Sequence, residues 1–371
     1  MLAPDELLAT AALVQAEHGV ESQARVGRMS LNRVRAGGSD SWRLLHHEVP
    51  LMLPVAEPLW GEAAAVPPQQ PAQTRIWLAR EARLTGRRGL VDANGALFLD
   101  GPVRTEADMA RAVSLCAVGG EGFMLRPVGA AEAQMLAPFP NGERRLTGTG
   151  LHLGAAVGDF ARPFLLEAFA ALLLIAEMRP KLDYVVLAGN DPALPALLTE
   201  LGFEGLKIFD LDLLPGVICT EIMMPLVARD PAGWVDSGTI RRLREFAARA
   251  HAKLGPGVHT TPEKIFLTDR DRLAGPMAAM AEQLGYLVRG LAGRSVTDLA
   301  LLMAKASCVA TDQEAGVTAS LFAAAEVPVL DLAGGDQAAR LPLLAGCGRR
   351  FAVAAPQQAQ AALAQLAGMG A

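Results

Sequence analysis

From about residue 150 to the C-terminus, short apolar segments typical of strands alternate with longer segments typical of helices. Parallel strands buried on both faces produce this pattern, because a helix must return the chain between successive strands. Strands are predicted at 182–188, 206–211, 217–224, 264–268, 286–288, 308–311, 327–332 and 351–354, and helices at 192–201, 239–253, 275–284, 296–306, 315–325 and 357–367. The alternation occurs on both sides of a turn-rich stretch at 225–238. It therefore predicts two Rossmann-like α/β units in series, with a ligand cleft between them.

The rest of the chain is predicted to extend the first unit. A helix is expected over 4–36 and a proline-rich loop over 61–73, and a β-hairpin is expected around Asn94-Gly95. With 371 residues, 51% apolar, the chain is long enough for two domains of roughly 150 residues each. The predicted domains are 1–74 (N-terminal helical segment and loop), 75–230 (a Rossmann-like domain that begins with a β-meander) and 231–371 (a second Rossmann-like domain).

Charge and residue usage exclude several classes of function. A formal net charge of −5 argues against a nucleic-acid-binding protein. The histidines and cysteines have no metal-ligand spacing, so we expect neither a bound metal nor another cofactor. No stretch has the length of a membrane span and the N-terminus lacks a basic signal region, which predicts a soluble, cytoplasmic protein. The basic amphipathic helix at 239–253 is interpreted as a solvated face, with peripheral contact to the inner face of the membrane as the alternative.

Two arginines directly follow the first strand of the C-terminal half. Arg270 and Arg272 are expected at the carboxyl end of strand 264–268. A guanidinium group there can hold phosphate oxygens through two parallel hydrogen bonds. A solvated turn in which these arginines pair with Asp269 and Asp271 explains the spacing equally well.

The strand at 308–311 is followed by a helix start with small residues. Free backbone N–H groups and the helix dipole favour an anionic ligand at such an end. The candidate ligand-binding residues are Gln313, Glu314, Ala315, Gly316 and Thr318. The carboxylates of Asp312 and Glu314 would oppose an anion and can cap the helix themselves, so a purely structural helix start is the alternative.

Three carboxylates are further candidates. Asp331 ends a predicted strand, where an acid can accept hydrogen bonds from both hydroxyls of a ribose or can cap the segment that follows. Glu167 lies in an apolar stretch, where burial would raise its pKa toward that of a general base; an exposed residue is the alternative. Asp159, at the start of the same predicted helix, is the second candidate base.

At these positions together the chain resembles glycosyltransferase family 61, over roughly residues 75–355. The arginines after strand 264–268 stand near the family's Ser-Arg pair and its following arginine. The segment 311–319 is similar to the family's Gly-x-His-Gly-Ala-Gly-Leu-Thr-Asn, 329–332 to its Val-Leu-Glu-Leu and 163–167 to its His-Trp-Leu-Leu-Asp/Glu. Gln313 and Pro163 occupy the positions of the two family histidines.

The resemblance implies a GT-B-like fold, in which two Rossmann-like domains face a cleft, with an N-terminal helical and β-hairpin extension. Residues 75–230 would form the acceptor side and 231–371 the nucleotide-sugar side. It further implies a metal-independent, inverting glycosyltransferase of bacterial surface or capsular polysaccharide synthesis. The donor would be a nucleotide sugar and the acceptor a glycan or another hydroxyl compound.

The resemblance also assigns roles to the candidate residues. The donor diphosphate would lie near Arg270, Arg272 and the helix start at 313–318, and Asp331 would hold the ribose. Glu167 or Asp159 would deprotonate the acceptor. Two alternatives stay open. One is a degenerate homologue that binds a glycan, nucleotide or partner without turnover, because both family histidines are replaced. The other is an unrelated nucleotide- or phosphate-using α/β enzyme, such as an epimerase.

Overall fold

The structure is a computed structural model that describes most of the chain between residues 33 and 369. The described residues are 33–36, 42–48, 51, 53, 55–56, 58–60, 74–85, 89–91, 96–97, 125–129, 132–135, 144–153, 168–187, 194–210, 217–226, 234–253, 263–334, 340–346, 348 and 350–369. They divide into two compact units. The first includes the described residues within 33–47, 75–153 and 179–226, and the second includes those within 48–74, 168–178 and 234–369.

The first unit is built on a single large sheet. The elements described as far as residue 226 are β1 Arg33–Ala36, β2 Trp42–Glu48, β3 Thr74–Thr85, β4 Gly89–Val91, β5 Ala96–Leu97, β6 Leu125–Gly129, β7 Glu132–Met135, β8 Arg144–His152, α1 Ala170–Met178, β9 Tyr184–Leu187, α2 Leu194–Glu200, β10 Lys207–Asp210 and β11 Val217–Leu226. The strand order is β10-β9-β8-β11-β3-β4-β5-β1-β7-β6, and β2 also pairs with β3. Strands β8 to β11 are parallel, which confirms the predicted βαβ pattern in this region.

One prediction for this unit is wrong, and one feature of its sheet was not predicted. The unpredicted feature is that β3 pairs antiparallel with β11 and extends the sheet into the predicted hairpin β4–β5. The helix expected over 4–36 is a strand at Arg33–Ala36, where sheet pairing with β5 and β7 supplies the backbone hydrogen bonds that a helix would otherwise make. The remainder of that predicted helix, 4–32, lies outside the described residues.

The second unit contains the predicted parallel sheet. Its further elements are α3 Ser237–Ala252, β12 Glu263–Thr268, α4 Pro276–Gln283, β13 Leu287–Gly290, α5 Val296–Ala304, β14 Ala306–Thr311, α6 Glu314–Ala319, β15 Val329–Asp331, α7 Leu341–Gly346, β16 Phe351–Val353 and α8 Ala359–Met369. The strand order is β13-β12-β14-β15-β16, and every pair is parallel. Most of these elements confirm the strand and helix assignments made for this half of the sequence. The helix predicted over 315–325 is shorter, since it ends at Ala319 and a 3-10 turn follows at Ser320–Phe322, and α7 was not predicted.

Helices pack on the sheet of the second unit and on one another. One face of the sheet buries Phe266, Ala310 and Leu330 against α4 and α8. Helix α6 contacts β14, and α3 packs on α5 and also contacts α1. Helix α1 therefore belongs to the second unit although it connects β8 to β9 of the first. The compact units thus divide the chain differently from the predicted domain 75–230, since part of that range joins the C-terminal unit.

Helix α3 buries the predicted apolar face, but one of its arginines lies elsewhere than expected. The buried residues of α3 include Ile240, Leu243, Phe246, Ala247 and Ala250. Arg242, predicted on a solvated face, is also buried, and its Nε donates to a Glu177 carboxylate oxygen at 2.8 Å while its Nη2 donates to Glu48. This arginine ties α3 to α1 and to the end of β2. Among the described residues no helix is both long and apolar enough to cross a membrane.

Candidate functional site

The order of the strands in the second unit marks one position on the sheet edge. From β12 the chain passes through α4 to β13 on one side, whereas from β14 it passes through α6 to β15 on the other. The two connections leave neighbouring strands in opposite directions, which is the topological switch point of an open α/β sheet. Ligands of such sheets bind outside the carboxyl ends of the strands at this point. The residues that end β12 and β14 are therefore the candidate ligand-binding positions.

Thr268 and Asp312 stand at the ends of the two strands that flank the switch point. Leu267 of β12 is in register with Thr311 of β14, and Thr268 and Asp312 directly follow this pair in the sequence. Thr268 is fully buried, and its hydroxyl oxygen has no hydrogen-bond partner among the described residues. Asp312 exposes only 7% of its side chain, and its Oδ1 has no partner among those residues either.

Two further side chains complete what we call the switch-point cluster: Thr268, Arg272, Asp312 and Gln313. Nη1 of Arg272 lies 3.9 Å from Oδ2 of Asp312, but 61% of the arginine side chain is exposed, so this ion pair is weak. The Nε2 amide nitrogen of Gln313 is buried, with no hydrogen-bond partner in the part of the chain that the structure describes. The Gln313 backbone N–H donates to the hydroxyl of Thr311 at 3.0 Å, which fixes the turn between β14 and α6.

The three unpartnered groups form a complementary set for a polar ligand. Roughly 90% or more of buried polar groups in proteins are hydrogen-bonded, and an unsatisfied one costs about 1–3 kcal/mol. Here the carboxylate of Asp312 can accept, the amide of Gln313 can donate, and the hydroxyl of Thr268 can do either. The hydroxyl and carbonyl groups of a ligand can make each of these hydrogen bonds. Sugars and nucleosides carry both kinds of group.

The predicted helix start contributes only one residue to this cluster. Helix α6 is six residues long, and the N–H of Gly316 donates to the Gln313 carbonyl at 3.1 Å, which uses one of the donors expected for an anion. A Cβ added at Gly316 would lie 2.7 Å from the Cβ of Thr311, so this glycine serves close packing of helix on strand. The hydroxyl of Thr318 donates to the carbonyl of Glu314 within the helix at 3.4 Å. Ala315 is half-buried and the side chain of Glu314 is exposed.

Asp331 makes the capping contacts that the sequence allows as the alternative to a contact with a ribose. The residue is 0% exposed, its Oδ1 accepts the Ala333 N–H at 2.8 Å and its Oδ2 accepts Nε of Arg340 at 2.8 Å. Arg340 also donates through Nη2 to the carbonyl of Ala333. Both carboxylate oxygens are thus occupied within the protein, and the side chain fixes the segment after β15. Burial raises the pKa of Asp331, and the ion pair with Arg340 opposes this increase.

The remaining predicted residues are described in part or not at all. Asp159 and Glu167, the two candidate bases, lie outside the described residues. Arg270 begins the 3-10 turn Arg270–Arg272 after β12, and only its backbone is described. Of the two predicted arginines, only Arg272 is assigned to the cluster, because only its side-chain position is described.

Sequence reasoning missed Thr268 as a site residue. Its signal was a single polar residue after the apolar run Ile265-Phe266-Leu267, at the point where the strand ends. A threonine there is also common as a β-branched strand residue, so the sequence alone does not separate the two roles. Asp312 was noted only as a charge that opposes an anion, because its burial and its unpartnered oxygen depend on tertiary packing.

Comparisons with known proteins add no relative to this description. No family model matches the chain, and no curated protein matches it in sequence. Among the described residues, no group of three or more histidine, cysteine, aspartate or glutamate side chains is arranged to hold a metal ion.

Proposed function

We propose that this protein is a glycosyltransferase-like protein that binds a nucleotide sugar at the switch-point cluster. The observation that carries the proposal is the set of three buried polar atoms without partners at the carboxyl ends of β12 and β14. A nucleotide sugar presents ribose and hexose hydroxyls and base carbonyls to such a set. The resemblance of the sequence to glycosyltransferase family 61 supports the same class of ligand, and with it a GT-B-like arrangement of two domains.

In this proposal Asp312 takes the role predicted for Asp331, and the arginines keep the predicted role of binding the diphosphate. Asp312 accepts hydrogen bonds from ligand hydroxyls, the role first predicted for Asp331, because the latter is already paired with Arg340. Arg272 is exposed and able to turn toward a diphosphate, and Arg270 is proposed beside it on the resemblance alone. Gln313 donates to a ligand carbonyl or hydroxyl oxygen.

The proposed reaction is a direct displacement with inversion. The acceptor hydroxyl loses its proton to a carboxylate, for which Glu167 and Asp159 are the proposed candidates, and its oxygen attacks the anomeric carbon of the donor sugar. The bond from that carbon to the diphosphate breaks, and the nucleoside diphosphate leaves with the electron pair. Arginine side chains stabilise the charge that develops on the leaving group.

Calorimetric titration with nucleosides, nucleoside diphosphates and nucleotide sugars tests the binding site. Asp312→Asn keeps the shape of the side chain and removes its charge. We expect it to weaken binding of the preferred nucleotide sugar about tenfold, because a charged hydrogen bond to a ligand hydroxyl is lost. Arg350→Gln, which changes an exposed arginine just before β16, serves as the control and should bind as the parent does. The site assignment is wrong if no nucleoside, diphosphate or nucleotide sugar binds the unaltered protein.

The second candidate function is that of a protein that binds its ligand without turnover. Two carboxylates near the proposed diphosphate position favour this alternative. Asp312 and Glu314 bring two negative charges to the turn where the diphosphate is proposed, against the one described guanidinium of Arg272. If Asp312 chiefly repels the diphosphate, Asp312→Asn strengthens nucleotide-sugar binding and leaves nucleoside binding unchanged. The direction of this effect therefore separates recognition of hydroxyls from repulsion of phosphate. Release of free nucleoside diphosphate from a bound donor, with or without added glycan, then separates an enzyme from a binding protein.

A further inference from the structure

A groove runs along the outer edge of the sheet in the second unit, away from the switch-point cluster. It lies beside β13, the last strand of the described sheet on that side, and beside helix α5. Its volume is about 350 Å³, which is at the small end of the range for ligand sites in proteins. The lining residues are Glu263, Leu287, Arg289, Arg294, Asp298, Leu301, Leu302 and Lys305.

Two arginine side chains donate hydrogen bonds to the outer edge of β13. The N–H of Leu291 donates to the carbonyl of Thr268 at 2.9 Å, so by strand alternation the carbonyls of Val288 and Gly290 point away from β12. Nη1 of Arg289 donates to the carbonyl of Val288 at 2.9 Å, and Nε of Arg294 donates to that of Gly290 at 2.7 Å. Charged side chains on an edge strand discourage the addition of another strand. The groove is therefore poorly suited to an extended peptide that would pair with β13.

The same two hydrogen bonds hold the guanidinium groups in fixed positions at the groove. Each guanidinium has five N–H donors, and the bond to the strand uses one of them, so donors remain for a ligand. Arg289, Arg294 and Lys305 form no ion pair with any described carboxylate. The planar fork of a guanidinium group can donate two parallel hydrogen bonds to a pair of phosphate oxygens, so such groups suit a phosphate ligand.

The rest of the lining defines the other part of the ligand. Leu287, Leu301 and Leu302 are half-buried and give the groove an apolar wall. Two carboxylates also line it, and that of Asp298 accepts the backbone N–H of Ser295 at 3.4 Å in the capping box of α5. Three cations thus face two carboxylates, Glu263 and Asp298, which leaves an excess of one positive charge.

We propose that this groove binds an organic phosphate that carries an apolar group, with its phosphate on Arg289 and Arg294 and its apolar group against the leucines. The ligand is either a small soluble phosphate ester or the headgroup region of an acidic lipid. Lys305 adds a third cation to the lining. The inference is independent of the proposed function, because it uses no residue of the switch-point cluster.

Hexyl phosphate and inorganic phosphate, titrated separately by calorimetry, test the proposal on the full chain. We expect hexyl phosphate to bind more tightly than inorganic phosphate, and Arg289→Gln to weaken its binding by about tenfold. Arg350→Gln is the matched control, since it removes an exposed arginine near the opposite edge of the sheet. Leu302→Asn should weaken the binding of hexyl phosphate but not the binding of inorganic phosphate. Circular dichroism of each variant verifies that it is folded.

Vesicles distinguish the two sources of the phosphate. If the protein co-sediments with vesicles that contain phosphatidic acid, and if Arg289→Gln but not Arg350→Gln abolishes this co-sedimentation, the ligand is a lipid. If the protein binds hexyl phosphate but does not co-sediment with the vesicles, the ligand is a soluble ester. The proposal is overturned if neither probe binds, or if Arg289→Gln binds as tightly as Arg350→Gln. Asp312→Asn should leave hexyl phosphate binding unchanged, so failure here and failure of the nucleotide-sugar site are separate results.

Discussion

Two aspartates at the carboxyl edge of one sheet have opposite surroundings. Asp331 ends β15 with both oxygens hydrogen-bonded, one to the guanidinium of Arg340 and one to a backbone N–H. Asp312 follows β14, the neighbouring strand, and one of its oxygens is buried with no hydrogen-bond partner in the described part of the chain, as is the hydroxyl of Thr268 at the end of β12. The position in the fold is nearly the same. The difference lies in whether the protein itself supplies the partners.

This contrast separates a structural acid from a candidate binding residue. A buried polar group that the protein satisfies contributes to a defined conformation, and removing its partner is costly. A buried polar group left unsatisfied at a topological switch point costs stability in the free protein, and a ligand can recover that cost. The following predictions test whether the two aspartates differ in this way, beginning with the largest expected effect.

Arg340→Ala should destabilise the protein by about 3–5 kcal/mol, because it leaves the carboxylate of Asp331 buried without its counter-charge. Urea unfolding of the variant measures the loss. Arg350→Ala, at an exposed arginine of the same unit, should change stability by about 0.5 kcal/mol or less. Equal, small losses in the two variants would show that the pair with Asp331 has no structural role.

Gly316→Ala should cost about 1–3 kcal/mol, since the added methyl group would lie 2.7 Å from the Cβ of Thr311 and force α6 away from β14. Thermal unfolding measures the effect. Gly334→Ala is the control in the same unit, because no heavy atom lies within 4 Å of a Cβ added there. A stable Gly316→Ala variant would contradict the close packing at the switch point.

Asp331 should also give stability a distinctive pH dependence. Burial raises its pKa above that of an unfolded carboxyl, although Arg340 opposes the change. The folded state then binds this proton more tightly than the unfolded state. The resulting stability is present below the ordinary carboxyl pKa and is lost as pH rises through the raised value. The difference in unfolding free energy between the parent and Asp331→Asn, measured by urea titration across this range, should show that decrease. A difference that increases with pH would mean that the pair with Arg340 outweighs burial.

The sequence predicted the second unit well because its signals are local. Apolar runs such as Ile265-Phe266-Leu267, each followed by turn residues, identified the strands of the parallel sheet without any tertiary information. The mixed sheet of the first unit was missed, since pairing of β3 with β11 joins residues far apart in the chain. Hydrophobic periodicity does not report such partners.

The sequence predicted only part of the candidate site. It indicated Arg272 and Gln313 after the strands described as β12 and β14, whereas the order of these strands, and with it the switch point, is seen only in the structure. The opposite roles of Asp312 and Asp331 were not predictable, because both are acids after a buried strand. Their difference depends on Arg340, which the segment after β15 brings to only one of them.

The central claim is that the switch-point cluster is kept unsatisfied for a ligand, and Thr268→Val tests it most directly. The substitution replaces the unpartnered hydroxyl with a methyl group of similar size. We predict that the free energy of unfolding stays the same or rises by about 1 kcal/mol, while binding of the preferred nucleotide sugar weakens. Unfolding and calorimetric titration of the same preparation give both values. A loss of stability of about 1 kcal/mol or more, with nucleotide-sugar binding unchanged, would show that Thr268 is a structural residue and would contradict the account.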